Sequence, residues 1–323
     1  MVSDSTVVDQ SDEDKLHSRI RTLSNEVWDG RVEGADVDRW LKNFTGEVFP
    51  VEKERLHALH LLANFNFFNV DTVRSMLKSV YRDLFRYELI QRARVGLSGS
   101  MDFDALNNVF LEELAATRFL GMGNPSESGA HLLYYFRQIN GLHKSLFIHQ
   151  HQILEKAAGE QGNSIAIPGL KRLVFIDDLM GSGQQASEYS AKLLSYVRAA
   201  ANAQDIEIWY FTLFARPKAL GVVRSLPFDR VETIHEMDDA EKAFSADSRV
   251  YRKPPDGVTL ADGKALASTY GQRLFLAHPL GYRDGQLLLG FEHNVPDNCL
   301  PVFWLNEMSI PWEPVFPRFH KVG

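Results

Sequence analysis

RLVFIDDLMGSGQQASEYSAKLL, residues 172–194, is the stretch on which the fold turns. Behind its leading arginine come four apolar residues (173–176) and two adjacent aspartates, Asp177 and Asp178. A turn of Gly181, Ser182 and Gly183 then opens onto a helical pattern. A short, unbroken apolar run closed by a turn fits a strand of a parallel sheet covered on both faces. Ala186, Tyr189, Leu193, Val197 and Ala200 predict the inward stripe of the helix that follows. On this reading Asp177 and Asp178 sit at the carboxyl end of a central strand, where open α/β sheets bind ligands.

That placement carries a chemical expectation. Glycines let the backbone approach a ligand and adopt positive φ. A helix start offers unpaired N–H groups and the positive end of the dipole. A phosphate there would be cradled by amides and by the Ser182 hydroxyl. The two carboxylates would accept hydrogen bonds from vicinal hydroxyls. Anion donors beside diol acceptors suit a ribose 5-phosphate. Two other readings stay open. A strand ending in Asp-Asp also describes a Walker B segment, but the G-x-x-x-x-G-K-[ST] loop that it needs is missing from the chain. A purely structural reading has the aspartates capping a helix and the glycines making a turn.

Outward from this stretch the texture alternates. IEIWYFTLF reads as a strand, RPKALGVVRSL as a helix and DRVETIHE as a strand, which predicts a parallel sheet with crossover helices. Upstream, TRFLGMGNPSESGAHLLYYFRQ reads as a strand, a turn-rich loop and a helix, and KSLFIHQHQ as a further strand. Before about residue 116 the pattern is helical throughout: Leu56, Leu59, Leu62 and Phe65 share a face, as do Val73, Met76, Leu77, Val80, Tyr81 and Leu84. Asp102 is placed to cap a further helix. A strand is expected at 287–291, and a helix near 261–270 inside a mostly polar segment. The expected organisation is an acidic disordered tail over 1–14, an α-helical region over 15–116, and an α/β domain over 117–323 that ends in an irregular aromatic cover.

Composition bounds the function. With 35 basic and 42 acidic residues the net charge is −7, which argues against a general nucleic-acid coat. Cys299 is the only cysteine, so the chain can form neither an internal disulfide nor a cysteine-based zinc site. No run approaches the roughly 18 apolar residues of a membrane span. The polar start reads as neither a signal peptide nor a presequence, so the expected location is the cytoplasm.

The residues also resemble a family. LVFIDDLMGSGQQ is similar to the phosphoribosyl-diphosphate (PRPP) signature of type I phosphoribosyltransferases. The resemblance implies a parallel, Rossmann-like core in which Asp177 and Asp178 are the catalytic pair holding the ribose 2′ and 3′ hydroxyls. It implies that Gly181, Ser182, Gly183, Gln184 and Gln185 bind the 5′-phosphate. It places a pyrophosphate loop after the preceding strand, with Gly123, Asn124, Ser126 and Ser128 among its donors. Mg²⁺ would be carried by the diphosphate, with no metal site of the protein's own. Gly181 stands where the family usually has Thr, and Gln185 where it usually has a hydroxyl residue. The loop has no Lys or Arg, a lack for which Arg118, Arg137 and Lys144 could compensate. Over residues 35–320 the chain looks like the phosphoribosyltransferase-like effectors of bacterial conflict systems, antiphage and retron-linked. In those proteins the sheet follows a helical region, and the chain ends much as FEHNVPDNCLPVFW and FPR do here. The likeness implies a nucleotide-directed defence effector or, alternatively, a catalytically degenerate nucleotide sensor that docks a partner from the same operon.

Other polar residues are weighed more plainly. His149 and His151 would share a strand face, and His57 and His60 a helix face; structural histidines are favoured over metal ligands in both cases. Asp205, Glu207, Glu236, Asp238 and Asp239 offer carboxylates near strand ends. Arg86, Arg92 and Arg94 read as a solvated helix face, with a nucleic-acid or partner surface as the minor alternative. Phe291, Phe303, Trp304, Trp312 and Phe316 read as core, while Glu292, His293, Asn294 and Asn298 could line a pocket.

Overall fold

The computed structural model describes residues 11–122, 128–156, 162–200, 205–306 and 310–318. The chain divides into two compact units. One joins Met1–Val70 to Asp238–Gly323, and the other is Asp71–Met237. The boundary drawn from composition near 116 falls inside the second unit.

The first unit opens with α1 (Asp12–Glu26), where the Ser11 hydroxyl oxygen accepts the Asp14 N–H at 3.2 Å. Of the acidic tail expected over 1–14, residues 1–10 lie outside the described residues, and 11–14 cap and start a helix. α2 (Gly34–Leu41), α3 (Val51–Leu62) and a short strand, β1 (Asn66–Phe68), follow. The region read as helical throughout therefore contains a strand, whose three residues are too few to give a period. α3 buries Leu59, Leu61 and Leu62 together with His57 and His60, so both histidines belong to the core. The loop ahead of α3 is fastened by Glu54, which is fully buried. Its carboxylate accepts the N–H groups of Gly46 (2.8 Å), Val48 (2.7 Å) and Phe49 (3.2 Å) and the Tyr270 hydroxyl (2.7 Å).

In the second unit α4 (Val70–Ser79) runs through a π turn (Val80–Arg86) into α5 (Tyr87–Gly96). α6 (Phe103–Ala115) follows, with the Asp102 carboxylate accepting the N–H groups of Asp104 and Ala105 as expected of its cap. Next come β2 (Thr117–Gly121), α7 (Ser128–Ile139), a small antiparallel pair β3 (Leu154–Lys156) and β4 (Asn163–Ile165), and β5 (Arg172–Met180). α8 (Gln184–Tyr189) passes through a second π turn (Ser190–Leu194) into α9 (Ser195–Ala199). β6 (Glu207–Ala215), α10 (Pro217–Arg224) and β7 (Arg230–Glu236) complete the unit.

The four long strands form one parallel sheet in the order β2-β5-β6-β7. Both of its faces are covered. Leu173, Phe175, Ile208 and Tyr210 pack with Tyr189, Val197 and Val223 in one core. On the other face Trp209 meets Phe85, which also meets Phe119. This is the parallel α/β sheet, covered on both faces, that the apolar run at 173–176 predicts, and it agrees with the Rossmann-like core that the resemblance implies. At the amino end of β5, Arg172 bonds the carboxylates of Glu113 (3.1 Å) and Glu207 (3.0 Å), with its guanidinium 4.5 Å from the Trp209 ring centroid. These pairs tie α6 and two strands together.

Back in the first unit, α11 (Leu260–Leu274) matches the helix expected near 261–270. β8 (Leu289–Phe291) pairs in parallel with β1, Phe67 opposite Gly290. Phe303 stacks on Trp40 at 5.2 Å and Phe316 on Phe65 at 4.4 Å, so these aromatics are core. No helix among the described residues is long and apolar enough to cross a membrane.

Candidate functional site

β5 is flanked unequally. β2 pairs with it only as far as Gly121 opposite Ile176, whereas β6 continues to Ala215 opposite Met180. Asp177 and Asp178 therefore fall just past the point where one neighbour has left the sheet, with β6 still beside them. Asp177 lies opposite Thr212 in the register. Both aspartates are buried, with 3% and 7% of their surface exposed.

Their carboxylates are held by nearby donors. Asp177 Oδ1 accepts the Asp178 N–H at 3.0 Å, and Oδ2 accepts the Tyr210 hydroxyl at 3.0 Å. Asp178 Oδ1 accepts the Leu179 N–H at 2.7 Å. Burial, then the charge of Asp177 and its hydrogen bond, then the charge of Asp178, push the Tyr210 hydroxyl well above the ordinary tyrosine pKa. Tyr210 is therefore a neutral donor to a carboxylate. Strand reading alone misses this contact. The signal was present: Tyr210 lies inside a nine-residue buried strand, and a buried phenol normally finds a partner.

Directly after β5 the chain turns through Gly181, Ser182 and Gly183. Gly183 has φ +76° and precedes the first residue of α8. A Cβ on it would lie 3.3 Å from methyls of both Val222 and Val223 and 3.4 Å from the Ala219 carbonyl oxygen. Only glycine satisfies the backbone and the approach of α10 together. The Ser182 hydroxyl oxygen accepts the Gln184 N–H at 3.3 Å, and the Ser187 hydroxyl donates to the Gly183 carbonyl at 2.8 Å. The Gln184 amide donates to Glu188 at 2.7 Å, and Gln185 is exposed. Of the five residues expected to hold a 5′-phosphate, Gly181, Ser182 and Gly183 form the turn after β5, and Gln184 and Gln185 open α8.

The expected pyrophosphate loop leaves the sheet at the carboxyl end of β2. Gly123, Asn124 and Ser126 lie outside the described residues, and Ser128 is the first residue of α7. Of the three cations that could serve the loop, Arg118 turns to the other end of its strand. Its guanidinium donates to the carbonyls of Ala115 and Thr117, each at 2.7 Å.

The remaining polar residues separate clearly. The strand expected at KSLFIHQHQ is replaced by two 3₁₀ turns and a single bridge from Phe147 to Phe119, so His149 and His151 share no strand face. Both are exposed, with their rings stacked at 5.6 Å. The His57 Nδ1–H donates to the Lys53 carbonyl, while Nε2 accepts the Thr259 N–H. No group of three or more His, Cys, Asp or Glu that could hold a metal occurs among the described residues. Glu207 is at the amino end of β6, away from Asp177, and is paired with Arg92 and Arg172. Arg92 is thereby engaged within its own unit, and Arg86 lies over Phe110. Glu236 ends β7 at the same end of the sheet as the aspartates. In the first unit Glu292, His293 and Asn294 line a cavity of about 10 Å³ with Arg31 and Arg318, room for no more than one water. Asn298 instead donates to the Tyr282 carbonyl at 3.1 Å.

No curated protein sequence matches the chain. A family model described as PRTase-CE matches residues 37–318. The match takes in the parallel sheet, the aspartate pair with its turn, and the C-terminal aromatics, and on it the chain belongs to the PRTase-CE family and is phosphoribosyltransferase-like.

Proposed function

We propose that the protein binds PRPP or a related ribose-phosphate nucleotide at the carboxyl end of β5. One observation carries the reading: two buried carboxylates near the carboxyl end of a central parallel strand stand two residues before a glycine-serine-glycine turn that opens a helix. Asp177 and Asp178 accept hydrogen bonds from the ribose 2′ and 3′ hydroxyls, and residues 181–185 take the 5′-phosphate. The reaction is displacement at the ribose anomeric carbon: a bond to an acceptor nitrogen forms as the bond to pyrophosphate oxygen breaks. The protein works chiefly by positioning the sugar and by stabilising charge, with little covalent chemistry of its own. The diphosphate would carry Mg²⁺, which would supply neutralisation of charge on the leaving group. Asp177 and Asp178 are the carboxylates that face the sugar as positive charge builds on the ring. The resemblance to conflict-system proteins extends this to an effector acting on nucleotides in phage defence, with a protein of the same operon as partner.

The test is isothermal titration of the protein with PRPP and Mg²⁺, beside the Asp177→Asn, Asp178→Asn double variant. Binding by the wild type that the variant loses supports the site; no binding by wild type at millimolar PRPP sinks it. A second reading, a sensor without turnover that docks a partner, is favoured by one surface observation. Val95, Met101 and Phe103, at the turn between α5 and α6, are 80%, 77% and 70% exposed. Pyrophosphate release with a panel of bases separates the two, since the sensor produces none.

A further inference from the structure

Asp177 is gripped at both oxygens. The Asp178 N–H reaches Oδ1 and the Tyr210 hydroxyl reaches Oδ2, each at 3.0 Å. The terminal torsion of an aspartate is otherwise soft, with a broad range of carboxylate planes. Two donors on opposite oxygens select one plane. The backbone donor comes with the strand itself, but the second is a choice of side chain from the next strand.

The surroundings of Tyr210 explain why it can set that plane. It is 1% exposed, and its ring packs 5.3 Å from that of Phe228 in the core that also holds Phe175 and Tyr189. The ring cannot swing without opening this core. A phenol there costs more than a phenylalanine unless its hydroxyl is bonded. The partner it bonds is the first of the two aspartates, and the hydroxyl stays a donor because burial and the two negative charges oppose its ionisation. A vicinal diol needs acceptors in a fixed plane, so a preset carboxylate binds it with less loss of side-chain freedom.

We propose that Tyr210 is a positioning residue for the ribose site: from inside the sheet core its hydroxyl fixes the Asp177 carboxylate in the orientation that receives the sugar. The inference rests on the PRPP reading above and goes beyond it by naming a residue that touches no ligand.

The experiment is a double-mutant cycle read by titration with PRPP and Mg²⁺, using the full chain. Tyr210→Phe is expected to weaken binding about tenfold, the scale of one hydrogen bond to a charged group. In the Asp177→Asn background the same change should add less than about twofold, because the hydroxyl acts through that carboxylate. Binding by Tyr210→Phe within about twofold of wild type overturns the proposal, and so does an equal loss in both backgrounds. Raman spectra give a second reading that does not need Tyr210→Phe to fold. The tyrosine band typical of a strong donor should be weaker in Asp177→Asn than in wild type, with Tyr270 on Glu54 accounting for the part that stays; a spectrum unchanged by Asp177→Asn overturns the contact. If wild type does not bind PRPP, the site reading fails and takes the positioning role with it. If Asp177→Asn abolishes binding while Tyr210→Phe leaves it intact, only the role of Tyr210 fails.

Discussion

Gly183→Ala probes the turn on which the site depends, and its size can be worked from the geometry. Alanine at φ +76° takes the left-handed conformation, at a cost of roughly 1–2 kcal/mol for a residue with a Cβ. Its methyl would also meet Val222 and Val223 at 3.3 Å and the Ala219 oxygen at 3.4 Å, so α10 must yield by a few tenths of an ångström. Overpacking of that kind adds about 1 kcal/mol or somewhat more, giving a total of about 2–4 kcal/mol. Gly169→Ala is the control within the same unit: its φ is +68°, and no heavy atom lies within 4 Å of the added carbon. It should lose only the backbone part, about 1–2 kcal/mol. Urea unfolding of wild type and both variants gives the comparison. If Gly183→Ala and Gly169→Ala differ by less than about 0.5 kcal/mol, the packing argument at the turn is wrong. If neither differs from wild type, so is the backbone argument.

Two further predictions concern the first unit. Glu54→Gln removes one of two oxygens that each accept two donors, so it should destabilise by about 3 kcal/mol at pH 7, measured by urea unfolding. Burial works against the Glu54 charge, but the Tyr270 hydroxyl and the three backbone donors outweigh it and lower its pKa. The stabilisation is therefore complete above the unfolded value of about 4.3 and is lost as pH falls through the lower folded value. The gap between wild type and Glu54→Gln should narrow in acid; a constant gap down to pH 2 would contradict the charge account. His60 is shifted the other way relative to its charge: burial lowers its pKa to about 4, despite its bond to the Val250 carbonyl. Between that value and the unfolded one near 6.5 the unfolded chain carries more protons, so stability falls as pH drops through this window. His60→Leu should flatten the slope of stability against pH there, and an unchanged slope would refute the assignment.

What could be read from the sequence follows from how locally each feature is encoded. The sheet was legible because strands buried on both faces are apolar at every position, as at 173–176. The turn was legible because glycine and serine have few other uses after such a run. The helices following a regular period were harder than they looked. The segments 70–96 and 184–199 each contain a π turn, which takes in one extra residue and moves the inward position at the turn by one place, while Val197 and Ala200 beyond the second turn stay buried as expected. The inward position expected at Leu84 belongs to Phe85, and that expected at Leu193 belongs to Leu194; the first of each pair is only half-buried. Nothing in VYRDLFR or SAKLL marks the extra residue in advance. β1 escaped notice because its partner, β8, lies far along the chain, and pairing over such a distance leaves no local trace. The apolar-polar composition around His149 and His151 predicts a strand, but the chain there pairs at one residue instead of several. Tyr210 was missed for a different reason: a tyrosine in an apolar strand reads as core, and which carboxylate it meets depends on the register of two strands.

The pairing of β1 with β8 also bears on the order in which the polypeptide can be completed as it is made. The first unit is interrupted, since Asp71–Met237 lies between its two segments. On a ribosome, α1, α2 and α3 emerge early, yet Asn66, Phe67 and Phe68 find their partners only when Leu289, Gly290 and Phe291 appear. Glu54 likewise waits for Tyr270. The inserted unit is contiguous, so its parallel sheet can close while the opening helices are still without their sheet partner and aromatic cover. Domains generally fold as units as the chain emerges, so the contiguous second unit is expected to close before the first. Until the second segment of the first unit is made, Trp40, Phe44 and Phe65 lack Phe303, Tyr270, Trp312 and Phe316, the rings that pack on them in the folded unit.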